Sequence, residues 1–102
     1  MSPKRSYAVV WTSNGATRSG RLELLRDCLE LHGRECPLSI PYAALTGASI
    51  ARGAHDRLRG LPVLALVLDS GAALRIASLE GGGALHELAT KVRSAAPSIA
   101  AA

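Results

Sequence analysis

The chain has 102 residues, 48% hydrophobic and 20% charged, enough for one domain around one core and too little for a second. Aromatic residues are Trp11, Tyr7 and Tyr42, with no Phe, so the core has to be aliphatic and a stacked aromatic platform for single-stranded nucleic acid has little to be built from. Twelve Lys and Arg against eight Asp and Glu leave a formal charge of +4, a modest excess that favours anionic surfaces in general.

Residues 7–12 are β-branched and aromatic and stop at Ser13-Asn14-Gly15, a strong turn signal, so they read as a first strand. Residues 20–25 and 28–32 alternate. If Arg26-Asp27 is a two-residue turn, Leu24 faces Leu29 and Leu22 faces Leu31, and all four leucines share one side of a hairpin. Gly33-Arg34 makes the next turn, before a short strand over 38–40. Pro41 then holds Ile40 extended and argues against a central, fully paired position.

Residues 42–45 read as a connecting corner and 47–51 as a fifth, weaker strand, Ala and Gly being poor strand formers. The stretch 52–60 is polar, glycine-flanked and without periodicity, the longest expected loop. Residues 62–68 are apolar on both parities, as in a strand covered on both faces. Asp69-Ser70-Gly71 turns the chain, and 73–79 pairs back with Leu74 and Ile76 on one face. After Gly81-Gly82-Gly83 the period becomes helical: Leu85, Leu88, Ala89, Val92 and Ala96 form one apolar stripe, Glu87 and Lys91 stand in the favourable i to i+4 order, and Pro97 ends the helix. The expected organisation is a flexible start over 1–6, one domain over 7–96 and a flexible tail over 97–102.

Seven short strands in hairpin succession followed by one amphipathic helix predict a mainly β fold: a seven-stranded antiparallel barrel or orthogonal sandwich capped by a C-terminal α-helix. The element order, and strings such as Gly20-Arg21-Leu22-Glu23-Leu24, Leu38-Ser39-Ile40-Pro41-Tyr42 and the Leu68-Asp69-Ser70-Gly71 hairpin leading to a final helix, resemble a bacterial pleckstrin-homology-like (PH-like) domain of the broad PH and GRAM superfamily. The resemblance covers residues 7–96. It implies a non-enzymatic module that binds phosphoinositide head groups, peptides or partner proteins through loops at the open end of the barrel.

Lipid-binding members use a Lys in the first strand or its turn, then a basic residue and an Arg one residue apart on the second strand. Here Arg18 and Arg21 have two residues between them, no Lys lies in the first strand, and Lys4 and Arg5 precede it. A strand also sets Arg18 and Arg21 on opposite faces. A protein partner or self-association is therefore expected ahead of an anionic membrane surface, and either ahead of nucleic acid.

No catalytic set emerges. Cys28, His32 and Cys36 form a C-x3-H-x3-C run, but a turn at Gly33-Arg34 sets His32 opposite Glu35 and Leu31 opposite Cys36, leaving Cys28 distant. Three soft ligands also fall short of the four that a structural zinc takes, so the run reads as two half-buried thiols and a surface histidine. Neither a base nor an oxyanion hole accompanies a Cys-His pair. The glycines at 81–83 precede a helix, where free amides favour anions, yet no Lys-Ser or Lys-Thr follows and a hinge explains them. No enzyme, cofactor, metal or small-molecule substrate is expected.

The loop over 52–60, with Arg52, His55, Arg57 and Arg59 against Asp56, is the first expected contact surface, together with Arg18 and Arg21. Trp11 and Tyr7 are assigned to structure, while the role of Tyr42, in the Pro41 corner, is left open. Two cysteines are too few to staple a secreted domain, and no apolar run reaches the length of a membrane span. The expected setting is cytoplasmic, with a membrane surface as one site of action.

Overall fold

Leucine alternation sets the first registers. In the computed structural model, which describes residues 5–13, 15–34, 37–53 and 57–100, Leu22 pairs with Leu31 and Leu24 with Leu29. Leu22, Leu29 and Leu31 are fully buried on one side of that hairpin, as the alternation requires. The described residues form β1 (Arg5–Ser13), β2 (Ala16–Leu24), β3 (Cys28–His32), β4 (Leu38–Pro41), a 3-10 turn over Tyr42–Ala44, β5 (Leu45–Ala51), β6 (Val63–Leu68), β7 (Ala73–Ser78), α1 (Gly82–Ala95) and α2 (Pro97–Ala100). All strand pairings are antiparallel, in the order β4-β3-β2-β1-β7-β6-β5. The sheet curls into a half-barrel, the mainly β fold with a C-terminal helix that the sequence predicts.

The curl depends on Gly20. A Cβ there would overlap the carbonyl oxygen of His32 and lie 2.9 Å from its carbonyl carbon, so only glycine lets the β2 and β3 backbones approach so closely. On the concave side Tyr7, Val9, Trp11, Leu22, Leu29, Leu31, Leu64, Leu66, Leu74 and Ile76 meet the stripe of α1, with Leu85, Leu88, Ala89 and Val92 buried against them. Each fully buried leucine contributes roughly 1.5–3 kcal/mol relative to an exposed one, so this contact, more than helix propensity, holds α1 in place. Gly81 turns β7 into α1 with φ 108°, a conformation that side chains rarely adopt.

Several expectations are corrected. β1 and β2 run to Ser13 and Ala16, so the second strand begins well before residue 20. Leu31 pairs with Leu38, not with Cys36, because the β3–β4 connection is longer than a two-residue turn. Cys36 and Glu35 lie outside the described residues. Cys28 stands opposite Pro41, at the far end of β3 from His32. Pro97 ends α1 and then opens α2, whose Ile99 packs on the core beside fully buried Ala96, so the chain stays folded to residue 100. At the other end, Arg5 and Ser6 already belong to β1, and residues 1–4 lie outside the described residues.

The stretch after β5 is the largest correction. Leu58 and Leu61 exchange backbone hydrogen bonds of 3.0 and 2.9 Å around Arg59 (φ 51°) and Gly60 (φ 78°), the positive-φ pair of a type I′ turn. This small hairpin folds over the convex side of the sheet, where Leu58, Val10, Val63 and Ala77 form a second buried cluster. The residues that made 62–68 apolar on both parities are thereby explained at Val63, which the chain covers with its own hairpin. Val67, at the other end of β6, stays 43% exposed.

Both strand edges are guarded. β4 is four residues long and bracketed by Pro37 and Pro41, and Pro41 lacks a donor for a further strand. On β5 the Ala48 carbonyl accepts a 2.9 Å hydrogen bond from Arg93 Nε of α1.

Candidate functional site

Strand direction sorts the six basic residues expected to bind. β1 and β6 are both antiparallel to β7 and so run the same way: the β1–β2 turn lies at one end of the sheet and the connection that starts β6 at the other. Arg18 is near the first end, while Arg52, Arg57 and Arg59 are at the second. Arg21 points to the convex face beside His32, its partner across β2 and β3. His55 and Asp56 lie outside the described residues. The structure therefore does not bring the five described residues together.

At the second end the arginines are occupied with the fold. Arg57 donates from Nε to the Arg52 carbonyl at 3.2 Å and from Nη1 to the Gly60 carbonyl at 2.8 Å, stapling the hairpin. Arg52 Nη2 lies 2.8 Å from His86 Nε2 on α1. Arg59 is the exposed tip of the turn. The N-terminus of α1 adjoins a cavity of about 20 Å³ lined by Leu61, Pro62, Ser78, Gly81, Gly82 and Leu85, which has no basic side chain and no room for a phosphate.

The first end is different. Thr17, Arg18 and Ser19 of β2 and Arg34 of the β3–β4 connection line an open cavity of about 340 Å³. Its position follows from the hairpin register. Arg21 pairs with His32 and Arg18 with Trp11, so continuing past His32 carries the chain back over the start of β2. A Cβ on Gly33 would lie 3.5 Å from the Ser19 carbonyl oxygen and 3.2 Å from Trp11 Cη2. Trp11, 3% exposed, belongs to the core beside Gly33 and is not a platform in the basin. Two arginines and two hydroxyl-bearing residues from separate segments line one cavity, residue types whose side chains bind phosphate or carboxylate.

On the convex face His32 Nε2 lies 3.2 Å from Glu30 and 3.7 Å from Glu23, a half-exposed pairing of β2 with β3. Tyr42, undecided in the sequence, is structural. It is buried, donates from its hydroxyl to the Leu25 carbonyl at 2.8 Å and from its backbone N–H to the Asp27 carbonyl at 3.1 Å, tying the corner to the β2–β3 turn. Burial, and then the nearby Cys28, push its hydroxyl pKa above the ordinary value of 10.0.

Sequence reasoning missed Arg34, which it took only as a turn residue, together with Thr17 and Ser19. The leucine register carries the chain past His32 to the level of Ser19, but alternation sets Ser19 and Arg18 on opposite faces, so the register alone does not bring Arg34 to Arg18.

No protein-family model and no curated protein matches the chain. Among solved structures it is similar to the C-terminal domain of an unknown protein from Leishmania infantum, with a TM-score of 0.66 and 13% identity, covering 89% of this chain and 80% of that one. That likeness shows a shared fold. The class defined here is a small curled half-barrel of seven antiparallel strands with a helix on its concave face. Among the described residues, no helix is long and apolar enough to cross a membrane.

Proposed function

We propose that the chain is a non-enzymatic binding module that takes an anionic, phosphate-bearing group in the basin between the β1–β2 hairpin and the β3–β4 connection. One observation carries this reading: Arg18 and Arg34, from two different segments, line the same cavity with the hydroxyl-bearing Thr17 and Ser19. The formal charge of +4 supports it by drawing anionic surfaces toward the molecule. The basin does not reproduce the basic pattern of lipid-binding PH-like domains, so the reading stands on this chain's own residues, and the setting it suits is the cytoplasmic surface of an anionic membrane.

A protein partner is the second reading, favoured by Val67, which is 43% exposed on the convex face. Such a partner would dock on that face, since β4 is short and proline-bracketed and β5 is covered by Arg93.

Co-sedimentation with anionic and neutral vesicles at two salt concentrations separates the readings. The wild type should sediment with anionic vesicles, less so at high salt. An Arg18→Glu, Arg34→Glu double variant should lose at least tenfold in affinity, while Arg52→Glu, Arg59→Glu should not. Equal sedimentation with neutral vesicles, or none with either, would reject the anionic reading and send the search to the convex face.

A further inference from the structure

The basin does not end at β2. Its lining combines Arg18 with Thr17 and Ser19, which alternation sets on the other face of the strand, so it opens across the sheet edge toward the convex face. There Thr17 stands opposite Thr12, their hydroxyl oxygens 3.3 Å apart, and Thr12 stands opposite Arg75 of β7. Leu74 and Ile76, on either side of Arg75 in the strand, are buried in the concave core, so Arg75 itself, half-buried, belongs to the convex face. The row continues with Ala65 and Ser49, short side chains that rise little above the sheet, and it contains no carboxylate.

Charge separates one anion from two. A phosphate monoester carries roughly −1.5 to −2 charge near neutral pH, which Arg18 and Arg34 match between them. Arg75 brings a further positive charge two strand spacings from Thr17, about 10 Å away, and its guanidinium can face a phosphate with two parallel donors. The two threonine hydroxyls share one hydrogen bond in which either can be the donor, so one hydroxyl proton is left to donate to a ligand between the arginines. We propose, resting on the basin as an anion site, that the ligand carries two phosphate groups, one held in the basin by Arg18 and Arg34 and one on the convex face by Arg75, with Thr12 and Thr17 between them.

The test is titration, followed by amide chemical shifts, with inorganic phosphate and with two linear diol bisphosphates, a short one and one whose phosphates reach about 10 Å apart. The long bisphosphate should bind the wild type at least about tenfold tighter than the short one, the gain expected of one hydrogen-bonded charge pair. Arg75→Gln should erase that preference and leave the affinity for inorganic phosphate unchanged, which also shows that the variant folds. Arg75→Lys, which keeps the charge without the fork, should retain part of the preference. Vesicles whose lipid bears a doubly phosphorylated head group, set against vesicles of equal surface charge made from singly charged lipid, identify the source. Selective sedimentation makes the ligand a membrane lipid, tight binding of the long soluble bisphosphate without it makes the ligand a free bisphosphate, and both support the two-anion site. Phosphate binding in the basin with no preference for the long bisphosphate, or a preference that survives Arg75→Gln, would overturn the second site and leave the basin standing. No saturable shift with any of these probes would overturn both.

Discussion

Gly20 and Arg34 show how a single residue acts through its neighbours. Gly20 is the point at which the half-barrel tightens, because any side chain there meets the β3 backbone at His32. Gly20→Ala should lower unfolding stability by about 2 kcal/mol or more, against a few tenths at an exposed strand site. Chemical denaturation measures it, and a variant as stable as the wild type would show that the strands separate without cost. In the sequence Gly20 looked like the first residue of a strand, since close approach of backbones depends on a partner that composition does not reveal. Arg34 was hidden for the converse reason: its chemistry was plain, but its place beside Arg18 depends on where a register leads after the paired strand has ended.

At the scale of elements, the corner between β4 and β5 is held by Tyr42. Its hydroxyl bond to the Leu25 carbonyl joins the corner to the β2–β3 turn at 2.8 Å, and Tyr42→Phe should cost about 1 kcal/mol near neutral pH. The folded-state pKa of Tyr42 is raised, by burial and then by Cys28. Its contribution is therefore fully present below the unfolded value of 10.0 and is lost as pH rises through the folded one. The stability gap between wild type and Tyr42→Phe should narrow above about pH 10; a gap that stays constant to about pH 11 would contradict this account.

The elements themselves were largely legible. The alternation of Leu22, Leu24, Leu29 and Leu31 predicts the β2–β3 register residue for residue, and the 3.6 period of Leu85, Leu88, Ala89 and Val92 predicts the buried face of α1. The 52–60 stretch was not legible, because Leu58 stands alone among polar residues and its burial comes from folding over Val10 and Val63, which are distant in sequence. Residues 97–100 were read as a tail for a similar reason: one apolar residue, Ile99, carries their packing.

Over the whole molecule, the two ends of the sheet have different work. At one end, arginines serve the fold: Arg57 staples a hairpin and Arg52 meets α1. At the other, Arg18 and Arg34 line an open basin of about 340 Å³. Both sets look alike in the sequence as basic residues in turns, and only the strand order, which places β1 between β2 and β7, separates them. A mainly β chain with a terminal helix was readable from periodicity; the division of labour between its ends was not.

The central claim is that the anion site lies at the β1–β2 and β3–β4 end and not at the arginine-rich connection after β5. Titration of isotopically labelled protein with a soluble inositol phosphate, followed by amide chemical shifts, tests it most directly. The account predicts saturable shifts concentrated at Thr17, Arg18, Ser19, Gly33 and Arg34, absent in the Arg18→Glu, Arg34→Glu variant. Shifts centred on Arg52, Arg57 and Arg59, or no saturable shift anywhere, would contradict it.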